Sequence, residues 1–430
     1  MTTTPIILPR AEHNISRGDI SEPALKVLYR LHKAGYAAYL VGGGVRDLLL
    51  GHHPKDFDVA TDATPEEIRK IFRNCRLIGR RFRLAHIHFG REIIEVATFR
   101  ASHDQGEGEE GLTADGLILR DNVFGTVEDD AWRRDFTVNA LYYNIDDFSV
   151  VDYTGGLVDI KAGVLRIIGD AETRILEDPV RMLRAARFAA KLNFQLDPGV
   201  ESQIHTLGEK LIGVPPARLF EEVLKMFHTG HALRSYEVLR ELNLFGYLFA
   251  QTDALIDEGD EYSDTFICQA LANTDDRIHH GKGVNPAFLF AALLWGPVRQ
   301  AAALLEEQGM TSLQALQIAG NEITAEQLRQ VSIPKRFSFP MREIWTAQAR
   351  LPRRNGKRAY RMLEQQRFRA AYDFLLLRCQ IGEPLEDLCY WWTRFQEMDD
   401  TGRAAMLKQL GGDGKNKRRR RRRKAKQAQE

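Results

Sequence analysis

Apolar and polar positions follow two different rhythms along this chain, and the change of rhythm falls near Asp170. Before it, period-two alternation marks short strands, with short helical stretches between them. Ala37 to Val41 is a strand that runs into a glycine turn. Thr64-Pro-Glu-Glu67 sets a capping threonine, a proline at the first helical position and a glutamate three residues on, which predicts a helix to about Arg73. Phe82 to Phe89 and Glu92 to Phe99 alternate like strands, and Gly90-Arg91 between them predicts a hairpin. Ser102 to Gly116 is rich in glycine and acid with little periodicity, so it reads as a mobile loop. Phe136 to Tyr143 and Val150 to Tyr153 close this α/β unit. Beyond Asp170 helical spacing dominates from Asp178 to about Leu410, as in Arg218 to Phe227 and Ala287 to Leu294. There is no internal repeat at a fixed period. Residues 1–20 read as a polar extension, and Gly411-Gly-Asp-Gly414 breaks the pattern before a basic tail.

Length and composition narrow the class. At 430 residues, 44% of them apolar, two or three globular domains are expected. Cys75, Cys268, Cys379 and Cys389 are scattered and form no CxxC pair, which excludes a disulfide framework and a cysteine zinc site and suits a reducing cytosol. Met1 to Arg10 holds no long apolar stretch, so no signal peptide is expected. The longest apolar run, Ala287 to Trp295, is far short of a membrane span. A cytoplasmic protein is the expectation.

The net charge of +1 conceals an asymmetry. Lys415 to Lys426 contains ten basic residues and no acid, including the run Arg418, Arg419, Arg420 to Arg423. Lys335 to Arg369 holds eleven basic residues against Glu343 and Glu364. The remainder is strongly acidic. Positive charge gathered at one end points to a polyanion, RNA or DNA rather than a membrane, because no amphipathic anchor accompanies it. A solvated tail without a specific partner is the plainer alternative.

The candidate chemistry begins at Leu40-Val-Gly-Gly-Gly-Val-Arg-Asp-Leu-Leu-Leu-Gly51, followed by Lys55-Asp-Phe-Asp-Val59. Glycines let backbone amides approach a phosphate closely. Asp56 and Asp58, one residue apart on an extended segment, point the same way. Two such carboxylates beside a phosphate-sized turn suggest Mg²⁺ ions bridging a nucleotide; the alternative is that they cap the turn and pair with Lys55 or Arg46. Glu95 interrupts the apolar face of Ile93 and Ala97 and is a further candidate metal ligand, since a buried charge needs a partner. Asp135 stands in Ala131-Trp-Arg-Arg-Asp-Phe-Thr-Val-Asn-Ala140, where the forks of Arg133 and Arg134 suit phosphate oxygens, or where Asp135 is a helix cap. Asp178 as cap and Pro179 as first residue open a helix that puts Glu177, Arg181, Arg184 and Phe188 on one side. A carboxylate fixing an arginine there could present a rigid edge to a base; a salt-bridged surface helix is the simpler reading. His86 and His88 share a strand face but lack a cysteine or carboxylate at ligand spacing, so they read as packed or hydrogen-bonded.

Five motifs, Leu40 to Asp47, Asp56-Phe-Asp58, Ile94 to Arg100, Arg133 to Ala140 and Glu177 to Arg184, stand in one order and spacing. In these the chain resembles the nucleotidyltransferase family of bacterial poly(A) polymerases and tRNA CCA-adding enzymes, closely over Ser21 to Phe227 and more loosely beyond. The resemblance implies an α+β nucleotidyltransferase head with a mixed sheet, followed by all-helical neck and body domains and a disordered basic C-terminal tail. Residues 1–20 would be the extension, 21–165 the head, 166–230 the neck, 231–410 the RNA-binding body and 411–430 the tail.

The resemblance further implies that Asp56 and Asp58 hold two Mg²⁺ ions, that Asp135 belongs with the catalytic carboxylates, and that Glu95 competes for the place of third ligand. Gly42, Gly43, Arg46 and Arg134 would meet the triphosphate of ATP, and Asp178, Arg181 and Arg184 the base. Leu77-Ile-Gly-Arg-Arg-Phe-Arg-Leu-Ala-His-Ile87 resembles the signature of the poly(A) branch. Arg80, Arg81 and Arg83, with Arg418, Arg419 and Arg420 of the tail, are the expected RNA contacts. The implied activity is template-independent addition of AMP from ATP to RNA 3′ ends, promoting RNA decay, with RNA-decay proteins among the expected partners. CCA addition to tRNA is the nearer alternative, and a non-catalytic RNA-binding protein the farther one. The one His-Asp dipeptide, His103-Asp104, lies in the predicted loop and supports no phosphohydrolase site.

Overall fold

The computed structural model describes residues 4–79, 83–101 and 124–410. The predicted loop Ser102 to Gly116, Arg80, Arg81 and the tail with Arg418, Arg419 and Arg420 lie outside the described residues. The described chain groups into two compact units, residues 1–210 and 211–430.

The first unit is built on an eight-stranded mixed sheet. Along the chain its elements are β1 (Ile6–Leu8), α1 (Glu22–Lys33), β2 (Ala38–Val41), α2 (Gly43–Leu49), β3 (Asp58–Thr61), α3 (Pro65–Ile71), β4 (Cys75–Ile78), β5 (Leu84–Phe89), β6 (Glu92–Thr98), α4 (Val127–Trp132), β7 (Leu141–Asn144) and β8 (Val150–Asp152). They are followed by α5 (Gly156–Ala162), β9 (Val164–Leu165), α6 (Ala171–Glu177), α7 (Val180–Leu192), β10 (Gln195–Leu196) and α8 (Pro198–Leu207). In space the sheet runs β1-β8-β7-β2-β3-β6-β5-β4. β3 and β6 are parallel and the other neighbours antiparallel.

Local chemistry explains most of these elements. α1 starts at the Ser21 cap with a proline in its first turn, and its apolar stripe Ala24, Val27, Leu28 and Leu31 is buried. α3 carries the reciprocal Thr64–Glu67 capping box. The hairpin turns at Gly90, whose φ is +64°. Two departures have simple causes. Residues 1–20, expected as a polar extension, contain an edge strand, because Ile6-Ile-Leu8 is a β-forming triplet that pairs with β8. The helical stretch after Asp170 is interrupted by β10, two residues that pair parallel with β9.

The two faces of the sheet differ. One is covered by α1, α2 and α3, whose Val27, Leu31, Val45, Leu48 and Ile68 pack with Leu40, Val59, Ile87, Ile94 and Val96 of the strands. The other carries a smaller cluster, Val41, Ala60, Phe99, Tyr142 and Val151, under Ala131 of α4. That second face is only partly roofed, which leaves room for charged side chains in its middle.

The second unit is helical throughout its described residues, from Pro216–Phe227 to Glu386–Glu397. Phe220 stacks on Phe290 with ring centroids 5.6 Å apart. Trp345 and Trp392 are fully buried, and their indole N–H groups donate to the Ala291 and Leu351 carbonyls at 3.0 and 3.1 Å. No single helix among the described residues is long and apolar enough to cross a membrane.

Candidate active site

The register of the sheet draws one row of side chains across its partly open face. Tyr142 on β7 lies opposite Val41 on β2, Val41 opposite Asp58 on β3, Asp58 opposite Glu95 on β6, and Glu95 opposite His86 on β5. Opposed residues share a face and lie about 5 Å apart at Cβ. The row thus passes from an aromatic, apolar end to a charged one, with Asp58 where the character changes.

Asp56 falls just before β3. Phe57 between the two aspartates is buried in the helix-covered core, whereas Asp56 and Asp58 are exposed on the opposite side. This is the same-facing pair that the spacing predicts. The Asp58 carboxyl is pushed up to about 6. Partial desolvation is the largest cause, the neighbouring Glu95 charge the next, and Asp56 adds to it, while Arg134 works in the opposite direction. Glu95 itself has a side chain 48% exposed, so its position on the Ile93–Ala97 face is less costly than a closed core would make it.

Just ahead of this pair, the turn between β2 and α2 is shaped by Gly42, at φ +71° and ψ −137°. A side chain is strained there, and a Cβ would stand 3.3 Å from Nη1 of Arg134. The bare backbone therefore allows Arg134 to close against the turn. Beneath the turn Arg46 is 1% exposed. Its guanidinium donates to Asp47 Oδ1 at 2.8 and 2.6 Å and to Asn139, and it lies 5.5 Å from the centre of the Phe188 ring. Arg46, expected at the triphosphate, thus braces the turn from inside, and its influence on a phosphate runs through the backbone it supports. Gly43 packs on that guanidinium, with 3.3 Å from a would-be Cβ to Nη2.

Arg134 is fixed from two sides. Its Nη2 and Nε donate to Asp130 Oδ2 at 2.9 and 3.2 Å, and Nε also to the Tyr142 hydroxyl at 2.9 Å. Burial opposes its charge, but Tyr142 and Asp130 outweigh that and hold it firmly cationic. Neither partner was singled out from the sequence, although the four-residue spacing between Asp130 of α4 and Arg134, just past the end of that helix, was a usable signal.

Asp135 is held by α7. Its two oxygens accept from Arg181 Nε at 2.8 Å and Arg184 Nη1 at 2.5 Å. Burial pushes its carboxyl up, yet Arg184 and Arg181 pull harder, and the net shift is downward. Arg181, 9% exposed, also donates to Glu177 at 3.2 Å and to the Arg174 carbonyl. Arg181 and Arg184 of α7 thus stand together, as the spacing predicts, with Asp135 as their anchor, whereas Glu177 joins them from the end of α6 rather than from the same helix. Asp178 ends α6 rather than capping α7; its Oδ1 still accepts from the Val180 N–H at 3.2 Å. Arg174, not anticipated, ties this region to the head by donating to the Arg133 and Arg134 carbonyls at 2.8 and 3.0 Å. Lys191 of α7 reaches Asp47 at 3.4 Å, so the same helix grips the glycine-turn helix. Arg83 is exposed and paired with Glu66.

The donor set fits a hard divalent cation. Asp56, Asp58 and Glu95 offer only oxygens, and the charges of Glu95 and Asp56 beside Asp58 are only partly offset by Arg134. Among the described residues no three acidic, histidine or cysteine side chains converge into a ready cage. Mg²⁺ does not need one, since it binds through one or two carboxylates, waters and substrate phosphates.

Comparison with known proteins bears on the same segments. Residues 38–166 match the family model described as poly A polymerase head domain, 193–256 the probable RNA and SrmB-binding site of polymerase A, and 308–426 the polymerase A arginine-rich C-terminus. The poly(A) polymerase I of Salmonella typhimurium is 52% identical over 414 residues, 95% of this chain and 89% of the relative. A CCA-adding enzyme of Lactobacillus gasseri is 35% identical over 226 residues, 53% of this chain and 55% of its own. Among solved structures, a Thermotoga maritima CCA-adding enzyme complexed with tRNA superimposes with a TM-score of 0.61 at 18% identity, covering 91% of this chain and 87% of that one. At that identity the likeness speaks for the fold.

Proposed function

Since the chain belongs to the poly(A) polymerase family of nucleotidyltransferases, we propose that it is a template-independent polynucleotide adenylyltransferase that adds AMP from ATP to RNA 3′ ends. The observation that carries the reading is the crowding of Asp58 between Glu95 and Asp56, one strand away from a glycine turn closed by Arg134. A site that concentrates negative charge beside a phosphate-sized turn is built for a nucleotide carrying cations.

In the proposed reaction the RNA 3′-hydroxyl attacks the α-phosphate of ATP in line, and pyrophosphate leaves. Bound Mg²⁺ would lower the pKa of the hydroxyl and neutralise the leaving oxygens. Asp56 and Asp58 would hold the ions, with Glu95 contributing charge beside them. The Gly42 and Gly43 backbone and the fixed Arg134 fork would seat the triphosphate, and Arg46 would keep the turn in shape. Asp178, Arg181 and Arg184 would face the base. Asp135 acts through Arg181 and Arg184, so we assign it a positioning role rather than a place on the cations. The domain division follows the same reading: head 21–165, neck 166–230, body 231–410 and basic tail from 411. Arg80, Arg81, Arg83 and the tail arginines Arg418, Arg419 and Arg420 would track the RNA backbone. A cytoplasmic location and association with RNA-decay proteins complete the proposal.

The test is incorporation by the full chain with Mg²⁺, an unstructured RNA, and each nucleotide singly, beside a tRNA lacking its end. Long tails with ATP alone, on either acceptor, are the expected result. Addition that requires CTP and stops after a defined A on tRNA would overturn it in favour of CCA addition.

A further inference from the structure

His86 occupies the place in the charged row next to Glu95, and it is left unexplained by the catalytic reading. Its Nε2 is cut off from solvent and makes no hydrogen bond. Glu95 Oε1 stands 3.2 Å from that nitrogen, near enough to bond but out of line with the ring N–H. A buried, unsatisfied polar atom is uncommon and calls for a cause. The His86 side chain is 17% exposed and that of Glu95 48%, so the imidazole is the fixed member and the carboxylate the movable one. The register allows Glu95 two cross-strand neighbours in the row: His86 on β5 and Asp58 on β3. Its charge is already felt at Asp58. On the far side of His86 the row continues to Arg76 of β4, which is exposed and opposite the imidazole.

We propose that His86 is a positioning residue, whose Nε2–H takes hold of Glu95 and aims its carboxylate at the cation side of Asp58. This rests on the reading of Asp56 and Asp58 as the cation ligands. At 3.2 Å the Glu95 oxygen is already within hydrogen-bond distance of Nε2, so alignment is all that the bond lacks. Hydrogen bonds of this kind are often loose until the site is filled. Without the imidazole, Glu95 is a half-exposed side chain free to swing into solvent, and the charge that it adds beside Asp58 is diluted. Residues that orient the immediate ligands of a metal typically cost 10–100-fold in affinity or activity when removed.

The test uses the full chain and Mn²⁺ as a spectroscopic stand-in for Mg²⁺, which takes the same hard oxygen ligands. Free and bound Mn²⁺ are measured by electron paramagnetic resonance for the parent, His86→Ala, His86→Gln, Glu95→Gln and the double variant His86→Ala/Glu95→Gln, with Asp58→Ala as the reference for a destroyed site. Circular dichroism melts confirm folding. His86→Ala is expected to weaken Mn²⁺ binding roughly 10-fold or more, and to raise the Mg²⁺ needed for half-maximal AMP incorporation alike. Gln, whose amide can donate to Glu95, is expected to restore binding to within about threefold of the parent. In the Glu95→Gln background, adding His86→Ala should change little, because the two act through one contact. Unchanged Mn²⁺ binding in His86→Ala, with binding lost in Asp58→Ala, overturns the role of His86 alone. Unchanged binding in Asp58→Ala as well overturns the cation site and this inference with it. If His86→Ala does not fold, the Gln variant decides: tight binding in it and weak binding in His86→Leu support the role, and equal binding in both overturns it.

Discussion

At the scale of single residues, Asp58 is the group on which most depends. Its carboxyl is pushed up to about 6 from an ordinary 3.8, so the folded chain takes up its proton more readily than the unfolded one. The sign follows from linkage: between those two values stability falls as pH rises, and above about 6 the full repulsion of Asp58 by Glu95 and Asp56 is present. Asp58→Asn removes that repulsion. Without divalent ions, the variant should melt a few degrees above the parent at pH 7.5, and the gain should vanish as pH drops toward 4; its exposed edge keeps the effect modest. In the same variant AMP incorporation should fall by roughly three orders of magnitude or more. A melting point that is unchanged or lower at pH 7.5 would show that Asp58 is not strained by its neighbours. Asp56 and Asp58 were legible in the sequence because alternation along an extended segment fixes which way side chains point. Asp130, four residues before Arg134, left a local signal, whereas Tyr142 and Arg174 did not, because their roles arise from partners 8 to 41 positions away. Asp135 was legible as a candidate, but its partners were not. Only the folded chain shows both of its oxygens occupied by α7.

At the scale of elements, the strand that runs into the glycine turn is legible, since a strand-forming run and the glycines occupy adjacent positions, and the structure has it as β2 leading into Gly42. The hairpin β5–β6 was equally clear from alternation around Gly90. Boundaries were less so. Asp178 has the chemistry of a cap, and Pro179 that of a first helical residue, yet α6 runs up to Glu177 and takes Asp178 as its end. Two helices compete for one residue there, and a local pattern cannot arbitrate. β1 and β10 were missed because three- and two-residue strands exist only through their partners. The turn itself makes a sharp prediction. Gly42 sits at φ +71° with Arg134 against it, so Gly42→Ala must both strain the backbone and displace the fork. The expected loss of stability is roughly 1–3 kcal/mol by urea unfolding. The KM for ATP should rise at least about tenfold while half-saturating RNA stays near the parent value. A variant with normal KM would mean that the turn does not touch the triphosphate.

At the scale of the whole chain, the change from alternating to helical spacing near Asp170 announced an α/β part and a helical part, and the structure has both. Contacts divide the chain once, between Lys210 and Leu211, inside the stretch read as a neck. The cause is visible in the first unit: α6 and α7 are bound to the sheet domain by Arg174, Arg181, Arg184 and Lys191, long-range pairs that composition does not announce. Charge, in contrast, is fully legible in sequence, and it bears on how the enzyme keeps a growing, featureless product. Ten basic residues within Lys415 to Lys426, and the excess between Lys335 and Arg369, offset an otherwise acidic chain. An acidic catalytic part repels RNA except where cations and arginines line it, so affinity for the strand has to come from elsewhere in the chain. Ending the chain after residue 410 should weaken binding to single-stranded RNA at low salt. It should also flatten the plot of log affinity against log salt by about 0.7 for each phosphate that the tail neutralises. Addition of the first AMP to a saturating primer should be little changed, whereas tails made in a single encounter should shorten. An unaltered salt slope in the shortened chain would assign the RNA grip to the Lys335–Arg369 stretch and leave the tail without a share in it.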